Sequence, residues 1–449
     1  MWYHFWNIYI MKKYLFVFTL LFAFCAQAQH TISGTFSPAS KYKYLLAYRL
    51  KAGSQSFIAN TTIKDGKFTL QIPENAKTGM YRLVYAVPQD EFYFDVIYNG
   101  KEDVELAFDA TQGVSFISSK ENKIMSSYFQ TIGSSVEQLV NYYIEGKSDK
   151  KEFKECTSQL RAVQEAYEEQ AKGLMVENFI LANKPYIPAE FESVQEYIAH
   201  KKDHYFDYLK VDNEVLQASD FLTDKLKNYV FTALPAEQLS STETEKAIQA
   251  NINKVNTKLA PVADAYKFDV FYNLWKMSTN GGLNETTDFI YDTYLKSLAT
   301  ASSDPNKAQE LASQHRLRIG AKAPELEWTA ADVQKKLSAM EGAENYLLVF
   351  WSSTCSHCLK ELPELHKELK KYPKVKVIAV GLEDNTDTWV PESSKLPAFE
   401  HAIALGRWES KYARLYDIRS TPTYFLLDSD KRIIAKPESD KGVIELLKK

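Results

Sequence analysis

The chain has 449 residues, 45% of them hydrophobic and 25% charged. That length exceeds one hydrophobic core and implies two or three domains of ordinary globular composition. With a formal net charge of −4 and no long basic run, it lacks the electropositive footprint that a nucleic-acid partner requires.

At the N-terminus, Met11-Lys12-Lys13 precedes an apolar run from Tyr14 to Phe24 and the small-residue exit Cys25-Ala26-Gln27-Ala28. A charged start, an apolar core and a small-x-small exit read as a secretory signal over residues 1–28. Met11 then serves as the true start and Gln29 as the mature N-terminus. The apolar run is short of the roughly 17–25 residues of a spanning helix. Phe24 stands where a lipoprotein signal has a small residue, which disfavours lipid anchoring through Cys25. The expectation is an exported chain, periplasmic or otherwise extracytoplasmic, soluble after cleavage.

Residues 29–115 read as short strands. Thr31–Phe36, Tyr44–Tyr48, Phe57–Ile63, Lys67–Ile72, Tyr81–Tyr85, Phe92–Tyr98 and Val104–Phe108 are β-rich, and Asp65-Gly66 is a hairpin turn. A β-sandwich-like domain closes such a set.

Residues 120–315 switch to helical periodicity, with Glu152–Met175, Phe221–Ala233, Thr242–Lys258, Val262–Met277 and Glu285–Ala299 as its clearest helices. Breaks fall at Gly146, Pro185, Pro188, Pro235, Gly281-Gly282 and Pro305. His200 and His204 would share a face of a helix through Tyr205, but no third ligand accompanies them, so a solvated face is expected rather than zinc. Cys156, in the helical pattern Lys151–Leu160, reads as a thiol on or near a packed helix face, with an intermolecular or resolving role as the alternative.

Residues 316–449 alternate strand and helix. Glu344–Trp351 holds a continuous apolar run, as in a strand buried on both faces. A helix from Cys358 to about Lys371, a strand Lys374–Val380, a polar stretch from Trp389 to Phe399 and a helix Trp408–Tyr416 follow. Strands Thr423–Asp428 and Arg432–Ala435 and a closing helix Gly442–Lys449 give the order β-α-β-α-β-β-α. The fold class is multidomain: an all-β sandwich-like domain, an all-α middle domain and a C-terminal α/β domain.

The chemistry concentrates in Phe350-Trp-Ser-Ser-Thr-Cys-Ser-His-Cys-Leu-Lys-Glu-Leu-Pro363. Cys355 and Cys358 fall at a strand-to-helix junction. Unpaired amides at the helix start favour a thiolate on Cys355, while Cys358, one turn in, is the natural buried partner. Half of a zinc site would need a second cysteine pair, and the sequence has none. His357 either tunes the Cys355 thiolate or is simply an exposed residue of the turn. Glu361, one helical turn from Cys358, is placed to relay its proton or else is a surface acid. Pro363 is expected to kink the helix. Thr421-Pro422 precedes a strand and is compatible with a cis bond, leaving the Thr421 backbone free to bond a bound peptide.

These motifs resemble the thioredoxin superfamily, specifically its exported TlpA/ResA-like branch. The resemblance runs through Ile319-Gly320 to Pro324, Phe350-Trp351, the Cys355/Cys358 pair, Glu361, Pro363, Thr421-Pro422-Thr423 and Asp428. It implies a thioredoxin fold with Cys355 as nucleophile, Cys358 as resolving thiol, Glu361 as tuner of the pair and Pro422 as the cis-proline. The β domain and helical region resemble those of multidomain thiol–disulfide proteins exported by Bacteroidetes-type bacteria. Thr354 departs from the family's tryptophan, His357 from its proline and Val349 from its buried acid. Peroxiredoxins share the Ala-Pro entry, but the proline of their peroxidatic motif is missing from residues 347–354.

The expected function is thiol–disulfide exchange on protein substrates outside the cytoplasm, without a cofactor. The direction leans towards reduction, with a membrane thiol relay as electron donor. The alternatives are an oxidase or isomerase of DsbA type, which the Cys-x-His-Cys spacing resembles, and a binding or adaptor protein with a redox-sensing domain.

Overall fold

The computed structural model describes residues 30–301, 304, 306–330 and 332–448. The expected signal segment, Cys25 and Pro305 lie outside them. The chain divides into two compact units between Tyr266 and Lys267, inside the helical region.

The first unit opens with eight strands: β1 Thr31–Ser37, β2 Tyr44–Lys51, β3 Ser54–Thr62, β4 Lys67–Gln71, β5 Gly79–Val84, β6 Tyr93–Tyr98, β7 Val104–Asp109 and β8 Gly113–Phe116. They form two four-stranded sheets, ordered β4-β1-β7-β8 and β3-β2-β5-β6. Inward residues of both sheets, among them Ile32, Leu45, Leu70, Leu83 and Leu106, share one core. This is the expected sandwich, with β8 as a strand the sequence reading lacked. Asp65 and Gly66 both take positive φ, of 49° and 74°, as a two-residue hairpin turn demands. β1 pairs parallel with β7, and there a Cβ on Gly34 would lie 2.1 Å from the Leu106 carbonyl oxygen, so only glycine fits.

Helices α1 Lys120–Ile144, α2 Lys150–Ala171, α3 Glu177–Ala182, α4 Val194–Asp203, α5 Glu214–Gln217, α6 Asp220–Thr232 and α7 Ser241–Lys258 follow, and α8 Asp264–Asn280 spans the division. α4 and α7 begin at Ser-x-x-Glu capping boxes, Ser193/Glu196 and Ser240/Glu243. The helix expected to run through Tyr205 ends at Asp203, so His204 is its C-terminal cap. The His204 ring stacks on Tyr186 with its Nδ1 2.7 Å from Asp207, while His200 Nδ1 lies 2.9 Å from Glu192.

In the second unit the expected helix Glu285–Ala299 is three pieces: α9 Asn284–Ile290, a π-helical turn Tyr291–Leu295 and α10 Lys296–Thr300. α11 Lys307–Arg316 ends the helical region. The α/β domain then comprises β9 Glu327–Ala330, β10 Val333–Lys336, β11 Asn345–Trp351, α12 Ser356–Leu369, β12 Val375–Glu383, α13 Trp389–Ser393, β13 Glu400–Leu405, a 3-10 turn Arg407–Glu409, α14 Lys411–Leu415, β14 Thr423–Leu427, β15 Ile433–Ala435 and α15 Asp440–Leu447. The expected order lacked β13, the β9–β10 hairpin and α13, which falls in the stretch expected to be merely polar, and it joined the 3-10 turn and α14 into one helix.

The central sheet runs β13-β12-β11-β14-β15, parallel across β13, β12 and β11 and antiparallel from β11 to β15. β11 alternates between two cores. Leu347, Val349 and Trp351 join Leu362, Leu365 and Leu369 of α12 and Val443 of α15 on one face. Leu348 and Phe350 join Trp328, Ile378, Val380 and Tyr416 on the other. Both faces are covered, which explains why β11 reads as one apolar run. This is a thioredoxin fold. Among the described residues no helix is long and apolar enough to cross a membrane.

Candidate thiol site

β11 ends at Trp351, and the turn Ser352-Ser353-Thr354 carries the chain to α12. Cys355 caps that helix: its Sγ accepts the Cys358 N–H at 3.3 Å. The spacing Cys358, Leu362, Leu365, Leu369 puts one apolar stripe of α12 against the sheet. Cys358 is therefore drawn in, with 0% of its surface exposed, while Cys355 stays partly open. Both thiols are free.

The two thiols are electrostatically unlike. Partial burial pushes the Cys355 pKa up, but hydrogen bonds with the side chains of Cys358 and Thr421 and from the amides of Cys358 and His357 outweigh it, so the net shift is downward. Cys358 is pushed up to about 12, first by burial and then by its hydrogen bond with Cys355.

The Thr421–Pro422 peptide bond is cis, and it brings the Thr421 carbonyl to 3.4 Å from Cys355 Sγ. Glu361 is half-buried one turn beyond Cys358, and its Oε2 accepts the Tyr424 hydroxyl at 3.1 Å. The structure thus gathers Cys355, Cys358 and Thr421 directly, with Glu361 joined through α12 to β14. The His357 ring is exposed, and it is the His357 amide that reaches the Cys355 sulfur. Pro363 lies inside α12, whose helical span continues to Leu369.

Three neighbours escaped the sequence reading. Tyr424, 1% exposed, comes from β14 and packs in the same core as Cys358. Glu383 ends β12 and accepts the Ser353 N–H at 2.5 Å. Arg407 reaches Thr354 Oγ1 and Asp384 Oδ2, each at 3.3 Å. The available signal was a charged residue, Glu383, directly after the apolar run of β12.

The AhpC/TSA family profile matches residues 319–436. A thiol-disulfide oxidoreductase ResA from a strain of Bacillus cereus is 28% identical over 127 residues, covering 28% of this chain and 72% of that protein. Another, from Bacillus anthracis, is 27% identical over 125 residues, covering 27% and 71%. A domain of a possible thiol-disulfide isomerase from Cytophaga hutchinsonii is 28% identical with a TM-score of 0.27, covering 29% of this chain and 91% of that one. The C-terminal domain belongs to the thioredoxin superfamily, within a multidomain chain of thiol–disulfide oxidoreductase-like build.

Proposed function

We propose that the chain is an exported TlpA/ResA-like thiol–disulfide oxidoreductase that reduces protein disulfides outside the cytoplasm. The observation that carries thiol–disulfide exchange is the inequality of the pair: an accessible thiol held towards its thiolate form beside a fully buried thiol held towards its protonated form. The lean towards reduction rests on Glu361 and on the resemblance to the TlpA/ResA-like branch.

In the reaction, Cys355 thiolate attacks one sulfur of the substrate disulfide. The substrate S–S bond breaks, its other sulfur leaves as thiolate and takes a proton, and a mixed disulfide forms on Cys355. Cys358 then gives its proton to Glu361 and attacks Cys355 Sγ. The second substrate sulfur leaves and is protonated, and the Cys355–Cys358 disulfide remains. Two electrons pass to the substrate, with one proton originating on Cys358 and the other taken from solvent, and an external dithiol, in this reading a membrane thiol relay, restores the pair. Thr421, beside the cis-proline Pro422, offers backbone groups to the bound peptide. His357 contributes its amide to the Cys355 thiolate. The upstream segments, 29–115 as a β-sandwich and 120–315 as a helical domain, serve as docking or spacing modules ahead of the redox domain at 316–449.

A second reading is favoured by the downward shift of Cys355, because a stabilised thiolate stabilises the reduced protein and makes the disulfide more oxidising. The reduction potential of the pair decides between them. A value near about −270 mV supports a reductase, and one near about −120 mV an oxidase.

A further inference from the structure

The turn between β11 and α12 is braced from the neighbouring strand by a carboxylate that takes no part in the thiol exchange described above. Glu383 closes β12 with only 3% of its surface exposed. Its Oε1 accepts the Ser353 N–H at 2.5 Å, and its Oε2 accepts the Ser352 hydroxyl at 3.4 Å. Both serines are 5% exposed. An amide and a hydroxyl, rather than a cation, meet this buried charge, and desolvating a carboxylate on those terms is costly. Arg407, the nearby cation, is engaged with Asp384 and Thr354 instead.

The braced turn bears on both sulfurs. The Ser352 carbonyl accepts the Cys355 N–H at 3.1 Å. The Ser352 amide faces the Cys358 sulfur. The Ser352 hydroxyl also accepts the Thr354 N–H at 3.3 Å, and the Ser353 hydroxyl lies 2.8 Å from Thr388 Oγ1 ahead of α13. Every residue from Ser352 to Cys355 is thus fixed by backbone or hydroxyl bonds, and Glu383 is the anchor through which two of them are tied to the sheet.

We propose that Glu383 is a positioning residue for the thiol pair: by holding the Ser352–Ser353 turn it keeps Cys355 Sγ on the first amides of α12 and Cys358 Sγ on the Ser352 amide. What matters is an acceptor oxygen at the right reach, not the negative charge. The other titratable groups facing the pair are the exposed His357 on α12, Glu361 with Tyr424 between α12 and β14, and the Asp384–Arg407 pair beyond Thr354. This inference rests on Cys355 being the attacking thiolate.

The test uses the full chain with Glu383→Gln, Glu383→Asp and Glu383→Ala, reading the alkylation rate of Cys355 against pH by peptide-resolved mass spectrometry. Gln keeps an oxygen at the same reach and loses only the charge, so its inflection is expected not to rise above that of the wild type. Asp keeps the charge but withdraws the oxygens by one methylene, and with Ala it is expected to move the Cys355 inflection upward by about one pH unit, the scale of one lost hydrogen bond to sulfur. If Ala does not fold, the Gln–Asp contrast carries the same information. Asp and Ala profiles that overlay the wild type overturn the proposal, as does a Gln profile displaced upward as far as that of Ala. Disulfide reduction by the wild-type chain, assayed in parallel, bears on the proposed function, whereas the displacement among variants bears on Glu383.

Discussion

Tyr424 donates its phenolic proton to Glu361 Oε2 at 3.1 Å, joining β14 to α12 behind the buried thiol. Burial, followed by the Glu361 carboxylate, pushes the Tyr424 pKa upward, so the hydroxyl remains a donor throughout the working range. Glu361 is thereby held on the side of the helix where Cys358 must lose a proton.

Removing that hydroxyl with Tyr424→Phe should slow resolution of the mixed disulfide by about tenfold, the worth of one hydrogen bond to a charged group. Glu361→Gln should slow it by about 10²-fold, at the low end for general acid–base catalysis. Single-turnover quenching separates attack from resolution. Equal slowing of both steps would remove the relay role, since attack by Cys355 uses no proton from Cys358.

Cys358→Ser should accumulate the mixed disulfide on Cys355, detectable as a covalent adduct on non-reducing gels, while Cys355→Ser should abolish both adduct and turnover. The difference follows from burial: Cys358, 0% exposed, meets a substrate sulfur only after it has been bonded to Cys355. Adducts on Cys358 in the Cys355→Ser chain would reverse the assignment.

What the sequence made legible was local. The Cys355/Cys358 spacing, the Asp65-Gly66 turn and the apolar run of β11 each declare themselves within a few residues, because a turn, a helix cap and a doubly buried strand each leave a short-range pattern. β13, with the half-buried pattern of Glu400–Leu405 at the sheet edge, and the polar β9–β10 hairpin leave none. The site's supports were hidden for a different reason. Glu383 lies 30 residues from Ser353, and Tyr424 lies 63 from Glu361. Only the pairing of β12 and β14 with β11 brings them to the thiols. The helix through Tyr205 was overrun because capping at His204 depends on Tyr186 and Asp207, outside the helical pattern.

The two thiols should titrate in separate windows. Alkylation of Cys355 in the reduced chain should rise at a pH below that of an ordinary thiol, whereas Cys358 should stay protected until close to its value of about 12. The linked stability follows with opposite signs. Cys355, depressed on folding, contributes stability that is present above the unfolded thiol pKa and lost as pH falls through its folded value. Cys358, raised on folding, contributes stability that is present below the unfolded pKa and lost as pH rises towards about 12. Urea unfolding of the reduced chain should therefore weaken in alkali, and Cys358→Ala should flatten that decline. An unchanged alkaline slope in the variant would contradict the burial argument.

His315 gives the second unit an acid-sensitive contact. Its Nδ1 accepts the Trp275 indole N–H at 3.2 Å, so the ring proton sits on Nε2, which faces Asp288 Oδ1 at 3.3 Å. A neighbouring carboxylate ordinarily favours imidazolium, but Arg318, 5% exposed, already holds that same oxygen at 2.5 Å. Burial, then the Arg318 charge, push His315 down to about 3, and Tyr291 stacks on its ring at 3.8 Å. The folded chain thus keeps this ring neutral where the unfolded chain, with an ordinary pKa of about 6.5, takes up a proton. Stability from His315 is complete above about pH 6.5 and is lost as pH falls towards about 3. His315→Gln retains an acceptor for Trp275 and a donor for Asp288 but has no titrating ring. Its thermal midpoint should fall less steeply than that of the wild type between about pH 6.5 and 5, above the range where carboxylates dominate. Parallel slopes in that window would show that His315 is protonated in the folded protein, contrary to the hydrogen-bond pattern around it.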